Sequence, residues 1–274
     1  MKNLKKKIIK KASAIGLAAA LFLSLNHRYI AESGEQNKKH GSEAKEIISR
    51  RLSKVCIDDV LVFGNDPKKR DLYIIFQKHP SSRLNMAGEE KARFYSNTGV
   101  FKNQICVYRI LEDLFKNRDL GLIVSEGAFH DDYEDIINKD QNYKNLHPED
   151  VKIIEKGNNN AIINYVFLKD RPSSELIGIL YPELYLTGFE DRSIKTSDEP
   201  FGYLETSKQR SENAIKYSLK HSEELYKKGI LKNKDAAIVI GSKHFLDYED
   251  NHKRAEKGET EYNLIYIFPK ESLL

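Results

Sequence analysis

Four short apolar runs in this chain are each followed, within a few residues, by a histidine or a glutamate. The runs are Leu72–Phe76, Leu120–Val124, Leu184–Thr187 and Ala236–Ile240. The side chains that follow them, in the same order, are His79, Glu126, Glu190 and His244. Two imidazoles and one or two carboxylates suit a divalent metal ion with open coordination positions. The same set could perform metal-free acid/base chemistry, with Glu126 orienting a histidine.

Each of these residues also has an ordinary structural explanation, because polar residues commonly cap or turn the chain after a strand. The coincidence of four such residues is what favours a functional site. Arg210 is a further candidate that either points into the same site or is an ordinary exposed arginine of a helix. Gln104 could bind a ligand or cap a helix. The run His130-Asp131-Asp132 is more typical of a helix N-terminus than of a metal cluster.

The apolar runs themselves predict the fold. None of the four alternates with polar residues, and a fifth run, Leu264–Phe268, precedes Pro269. Continuous apolar strands indicate a sheet that is covered on both faces. Helical patterns separate them, so we predict one α/β domain with a mostly parallel sheet and helices on both faces. Ligands of such sheets bind outside the carboxyl ends of the strands.

Several helices follow from the spacing of apolar residues. One helix is predicted by an apolar stripe of Val107, Ile110, Leu111, Leu114 and Phe115. Asn103 would be its N-terminal cap, and Gly121 lies just beyond its end. A long charged helix is predicted over residues 206–228, and another over 245–257. Residues 80–102 lack clear periodicity, so we interpret them as an inserted loop and a candidate lid over the crevice.

The first residues indicate export. A lysine cluster precedes an apolar run over residues 12–25, which is the layout of a secretory signal. We therefore predict a signal peptide or uncleaved membrane anchor over residues 1–31, a polar linker over 32–46 and the domain over 47–274. In either case the domain would be secreted or held on the outer face of the cytoplasmic membrane.

Composition excludes one class of partner. The chain has 45 Lys and Arg against 41 Asp and Glu, a net charge of +4. Seven of the basic residues and no acidic ones lie in residues 1–31, so the rest of the chain is slightly acidic and nucleic-acid binding is not expected. Cys56 and Cys106 are too few for a disulfide scaffold. They could pair outside the membrane or stay as buried thiols.

Taken in order, the motifs resemble the Tiki/TraB superfamily, which includes TraB/PrgY/GumN-like proteins, Tiki proteases, ChaN-like haem-binding lipoproteins and erythromycin-esterase-like enzymes. The resemblance spans roughly residues 70–270. It is carried by the segments Asn103–Leu114, Ile123–Gly127, Leu184–Asp191 and Ile240–His244, the last of which contains a Gly-x-x-His motif. The first such motif departs from the pattern, because it reads Phe76-Gln77-Lys78-His79 and lacks the glycine.

The resemblance implies an α/β fold with paired Gly-x-x-His motifs near a glutamate. It makes His79, Glu126 and His244 metal ligands or catalytic groups, and it matches Arg210 to a family arginine. We therefore expect an exported metal-dependent hydrolase of peptide or ester bonds, with Glu126 as ligand or general base and Glu190 at the margin of the site. The alternatives are a ChaN-like protein that binds haem or another small ligand, and an interaction domain with a vestigial crevice.

Overall fold

The fold is organised around one six-stranded sheet. The computed structural model describes residues 48–80, 88–129, 158–169, 172–181, 183–190 and 200–272. The strands are β1 (Ile57–Phe63), β2 (Arg70–Gln77), β3 (Leu122–Phe129), β4 (Tyr185–Glu190), β5 (Ala236–Gly241) and β6 (Tyr262–Pro269). Their order across the sheet is β1-β6-β2-β5-β3-β4. β1 runs antiparallel to β6, and every other neighbouring pair is parallel.

The predicted strands are all present in this sheet and point the same way. β5 and β6 are buried along their whole length, as unbroken apolar runs predict. β3 and β4 extend further than predicted, so that Glu126 and Glu190 lie within strands and not after them. The sequence pattern did not reveal β1. This strand lies at the sheet edge and carries Asp58 and Asp59, so it has no continuous apolar run.

Helices cover both faces of the sheet. They are α1 (Arg50–Cys56), α2 (Gly88–Asn97), α3 (Val100–Arg118), α4 (Asn159–Lys169), α5 (Ser173–Leu180), α6 (Pro200–Lys227), the 3₁₀ helix η1 (Ser242–Tyr248) and α7 (Glu249–Glu256). Successive residues of a strand face opposite sides. Ile265 and Ile267 accordingly pack in the core beneath α3, whereas Tyr266 between them packs against Phe245 of η1. The predicted α/β architecture is confirmed.

Four details differ from the sequence interpretation. α3 begins after Gly99, whose positive φ of 72° ends the preceding turn, and Asn103 is therefore inside the helix and not its cap. α6 begins at Pro200 and not at residue 206. The helix predicted over 245–257 is divided between η1 and α7. The segment 80–102, interpreted as a loop, contains α2, because buried Tyr95 anchors a helix there.

The signal or anchor predicted over residues 1–31 and the linker over 32–46 lie outside the described residues, as does His130-Asp131-Asp132. Within the described part of the chain, no helix combines the length and the apolar character needed to cross a bilayer.

Candidate functional site

The strand order brings the predicted polar residues to one edge of the sheet. β2, which leads to His79, pairs directly with β5, which leads to His244. β5 pairs with β3, and β3 with β4. The register of β3 with β4 shifts between Ser125 and Phe129, and Glu126 lies in this irregular stretch. Irregularities of this kind re-aim side chains, and here the carboxylate reaches residues from several elements.

Glu126 is the centre of the site. Its Oε2 atom accepts the Gly241 backbone N–H at 2.6 Å and lies 2.6 Å from Nε2 of His79. Its Oε1 atom accepts a hydrogen bond from Nη2 of Arg210 at 2.8 Å and lies 3.5 Å from Nε2 of His244. The side chain is only 11% exposed. Both carboxylate oxygens are therefore engaged by positive or N–H groups.

Arg210 joins the two glutamates of the site. It lies on α6, and its Nε atom donates to Oε2 of Glu190 at 2.9 Å, while Nη2 contacts Oε1 of the same carboxylate. This two-point contact orients the guanidinium plane. Residues His79, Glu126, Glu190, Arg210 and His244 are thus all brought together at the carboxyl edge of the sheet.

A chain of buried amides fixes the proton position on His79. The Ser173 backbone N–H donates to Oε1 of Gln104 at 2.7 Å, which turns the Gln104 amide nitrogen toward Oε1 of Gln77 at 3.1 Å. The Gln77 amide nitrogen then faces Nδ1 of His79 at 3.5 Å. Nδ1 is therefore the acceptor, and Nε2 carries the proton that is donated to Glu126. Gln104 is thus a buried link, and its Oε1 atom also satisfies the first backbone N–H of α5.

His244 is held by groups that the sequence analysis missed. Its Nδ1 atom lies 2.9 Å from Oδ2 of Asp247 and 2.8 Å from Oγ of Ser211. Ser207 and Ser211 both donate their hydroxyl protons to Asp247, so Nδ1 of His244 is the donor toward them. A signal was present, because His244 and Asp247 are three residues apart, and Ser207 and Ser211 share one face of a helix.

These contacts set the charges of the site. Burial by itself would raise the pKa of Glu126, but the positive field of His79 and the hydrogen bonds from both histidines hold it well below its usual range. Burial alone would lower the pKa of His244, yet its hydrogen bonds to Asp247 and Glu126 raise it to about 9. At neutral pH the site therefore contains a Glu126 carboxylate and a His244 imidazolium.

Gly241 is required for the close approach of these groups. A Cβ atom at this position would lie 3.0 Å from Nε2 of His79 and 3.3 Å from Oε2 of Glu126. Phe76, the residue that stands in place of glycine in the first motif, is fully buried and packs against Phe245 and Phe268 at ring-centroid distances of 5.6 and 4.9 Å. At this position the first motif therefore has a phenylalanine that packs in an aromatic cluster. The second motif has a glycine, because a Cβ atom there would crowd the site.

Comparisons with known proteins yield no relative for this chain. No protein-family model matches it, and no curated protein and no solved structure is significantly similar to it. The resemblance to the Tiki/TraB superfamily therefore stays a prediction that depends on the order and spacing of short motifs.

The residue types of the site suit a metal ion, but their present contacts do not. The Nε2 atoms of His79 and His244 approach opposite oxygens of Glu126, as the predicted ligand set requires. Both oxygens already accept N–H groups, however, and the permanent cation of Arg210 lies against one of them. Among the described residues, no group of three or more His, Cys, Asp or Glu side chains is arranged to hold a metal. Metal and haem binding both stay predictions.

Proposed function

We propose that this protein is a hydrolase of peptide or ester bonds in which His79 is the general base and Glu126 orients it. The observation that carries the proposal is the difference in exposure within one hydrogen-bonded pair. The His79 side chain is 38% exposed, whereas that of Glu126 is 11% exposed. An accessible imidazole held by a buried carboxylate is the arrangement that general-base catalysis needs.

The tautomer of His79 defines the chemical step. With the proton on Nε2 donated to Glu126, Nδ1 holds the lone pair, and its contact with the Gln77 amide is long at 3.5 Å. In the proposed step a water molecule replaces that amide contact and gives its proton to Nδ1. The water oxygen attacks the carbonyl carbon, and the proton moves to Nδ1. The low pKa of Glu126 keeps its carboxylate ionised, so it stabilises the imidazolium and does not take the proton. When the scissile bond breaks, the imidazolium returns the proton to the leaving amine or alcohol.

Arg210 supports this step by its charge. Within the described residues, its contacts with Glu126 and Glu190 use Nε and Nη2. The N–H groups of Nη1 would then bind the oxyanion of a tetrahedral intermediate. The side chain is 21% exposed, so a substrate can reach it. A preorganised donor of this kind typically contributes about 10²–10³ in rate.

The experiment uses the full chain, purified in detergent and assayed against panels of fluorogenic peptides and esters. We expect His79→Asn and Glu126→Gln each to lower hydrolysis at least about a hundredfold while the fold is retained. His221→Asn is the matched control, because His221 is a partly buried histidine of α6 that belongs to no part of this site. Activity that survives in both site variants, or its absence from the wild-type chain throughout the panels, would contradict the proposal.

The metal-dependent form of the hydrolase is the second candidate, because both histidines direct Nε2 at the same carboxylate. In it His79, Glu126 and His244 would hold the ion, which would polarise the carbonyl. Elemental analysis of the same preparation separates the two forms. One bound metal per chain that is lost in His79→Asn supports the metal form, whereas full activity in a chelator supports the metal-free pair. A Soret band on adding haem would instead support the ChaN-like alternative.

A further inference from the structure

A second concave surface lies away from the proposed hydrolytic site. It is a cavity of about 990 Å³ lined mainly by residues of α1 and α3. Cys56, the last residue of α1, and Cys106, near the middle of α3, both line it. Each cysteine is only 3% exposed, and both are free thiols. The cavity therefore gives a small molecule access to two thiols that are otherwise buried.

The fold places the two cysteines on neighbouring helices. Cys56 ends α1, Cys106 lies on α3, and these two helices pack against each other. The Lys270 backbone N–H donates to the Cys56 carbonyl oxygen at 2.8 Å, which holds the end of α1 in place. Both cysteines therefore lie where α1 meets α3, in the wall of one cavity.

We infer that Cys56 and Cys106 are a site of disulfide formation, which a small disulfide oxidant reaches through the cavity and which ties α1 covalently to α3. This site is independent of the proposed hydrolytic chemistry. It suits a domain exported to an oxidising compartment, where structural disulfides persist.

The electrostatics of the cavity supports an order of events. The hydrogen bond from Cys106 lowers the pKa of Cys56; burial opposes this, and the positive charges of Arg109, Lys102 and Lys270 add to it. The hydrogen bond with Cys56 and burial raise the pKa of Cys106, which therefore keeps its proton at neutral pH. Cys56 is thus the thiol that ionises first, and thiolates are the attacking species in disulfide exchange.

The exchange is balanced in two steps. The Cys56 thiolate attacks one sulfur of an oxidant R–S–S–R, which forms a mixed disulfide and releases one R–S⁻. Cys106 then loses its proton and attacks the Cys56 sulfur, which forms the Cys56–Cys106 bond and releases the second R–S⁻. Two electrons pass from the protein to the oxidant, and the two thiol protons pass to solvent or to the released thiolates.

The bond would close a loop that runs from α1 through β1 and β2 to α3. Closing a loop of about 50 residues restricts the unfolded chain far more than the folded one, since both cysteines already line one cavity in the folded chain. For a domain of this size the expected rise in Tm is roughly 5–15 °C.

The test uses the full chain incubated with oxidised or with reduced glutathione. Thiols are counted by alkylation under denaturing conditions and mass spectrometry. We expect oxidation to remove both alkylation sites, to lower the mass of the monomer by about 2 Da, the mass of two hydrogens, and to raise Tm. Cys56→Ser and Cys106→Ser are the matched variants, and each should lose the Tm response to oxidant.

The wild-type measurement decides the matter even if a variant fails to fold. Two alkylatable thiols that persist after oxidation would overturn the inference. A stable glutathione adduct on one cysteine, or a disulfide between two chains, would overturn it as well. None of these measurements uses hydrolysis, so the result does not depend on whether the proposed hydrolase function is correct.

Discussion

The substitution Asp247→Asn tests the electrostatics of the site through folding stability. Asp247 accepts the Nδ1–H of His244 at 2.9 Å, and His244 is only 3% exposed. This contact and the one with Glu126 overcome the effect of burial and raise the pKa of His244 from 6.5 to about 9. Asparagine keeps the size and one acceptor oxygen of aspartate but removes its charge, so the variant changes charge with little change in packing.

The magnitude follows from the linkage between protonation and folding. Each pKa unit corresponds to about 1.4 kcal/mol, so the charged His244 contributes about 3 kcal/mol to stability. Because the folded-state pKa lies above the unfolded value, this contribution is complete below pH 6.5 and is lost as pH rises through about 9. At pH 6 we expect Asp247→Asn to be about 2–3 kcal/mol less stable than the wild type, the range for hydrogen bonds to charged groups.

Urea denaturation of both proteins at pH 6 and at pH 9.5 provides the measurement. The gap in unfolding free energy should shrink at the higher pH to less than about 1 kcal/mol, because neutral His244 gains little from the Asp247 charge. The comparison cancels other groups that titrate in the same window. A gap of equal size at both pH values would show that Asp247 stabilises the fold without charging His244, and the reasoning would be refuted.

Three further predictions follow from single observations. Gly241→Ala should lower hydrolysis at least about tenfold by displacing His79 and Glu126. Gly178→Ala, whose added Cβ would have three Leu186 atoms as its nearest neighbours, should leave turnover unchanged. Asp235→Asn should stabilise the protein at pH 8 by about 1–3 kcal/mol and have little effect at pH 4. The reason is that burial raises the pKa of Asp235 to about 6, so its ionisation costs stability as pH rises. Urea denaturation at the two pH values measures this, and equal effects at both would contradict it. A reporter fused after residue 45 should be exported, and a cytosolic reporter would end the export hypothesis.

The strands could be predicted because parallel strands buried on both faces leave unbroken apolar runs in the sequence. The edge strand β1 could not, since its exposed side admits Asp58 and Asp59 and erases that pattern. The cap was assigned wrongly for a different reason. The Asn103 side chain accepts the Lys78 N–H and donates to the Lys270 carbonyl, and both partners are distant in sequence.

Some of the residues that form the site could be predicted from the sequence. The rule that ligands bind at the carboxyl ends of parallel strands located His79, Glu126 and His244 without knowledge of strand order. That order decides which side chains touch, and no local pattern encodes that β2 lies beside β5. The register shift that follows Ser125 is equally hidden, because it depends on how β3 meets β4.

The helix α6 presents three polar residues to three different partners of the site. Ser207, Arg210 and Ser211 lie on one face of it and contact residues delivered by η1, β3 and β4. An α-helix turns by about 100° for each residue, so all these contacts depend on the same rotation of α6 about its axis. Inserting or deleting one residue between Ser207 and Ser211 would turn the two serines out of common alignment. A change of length between Ser207 and Ser211 should therefore not be tolerated.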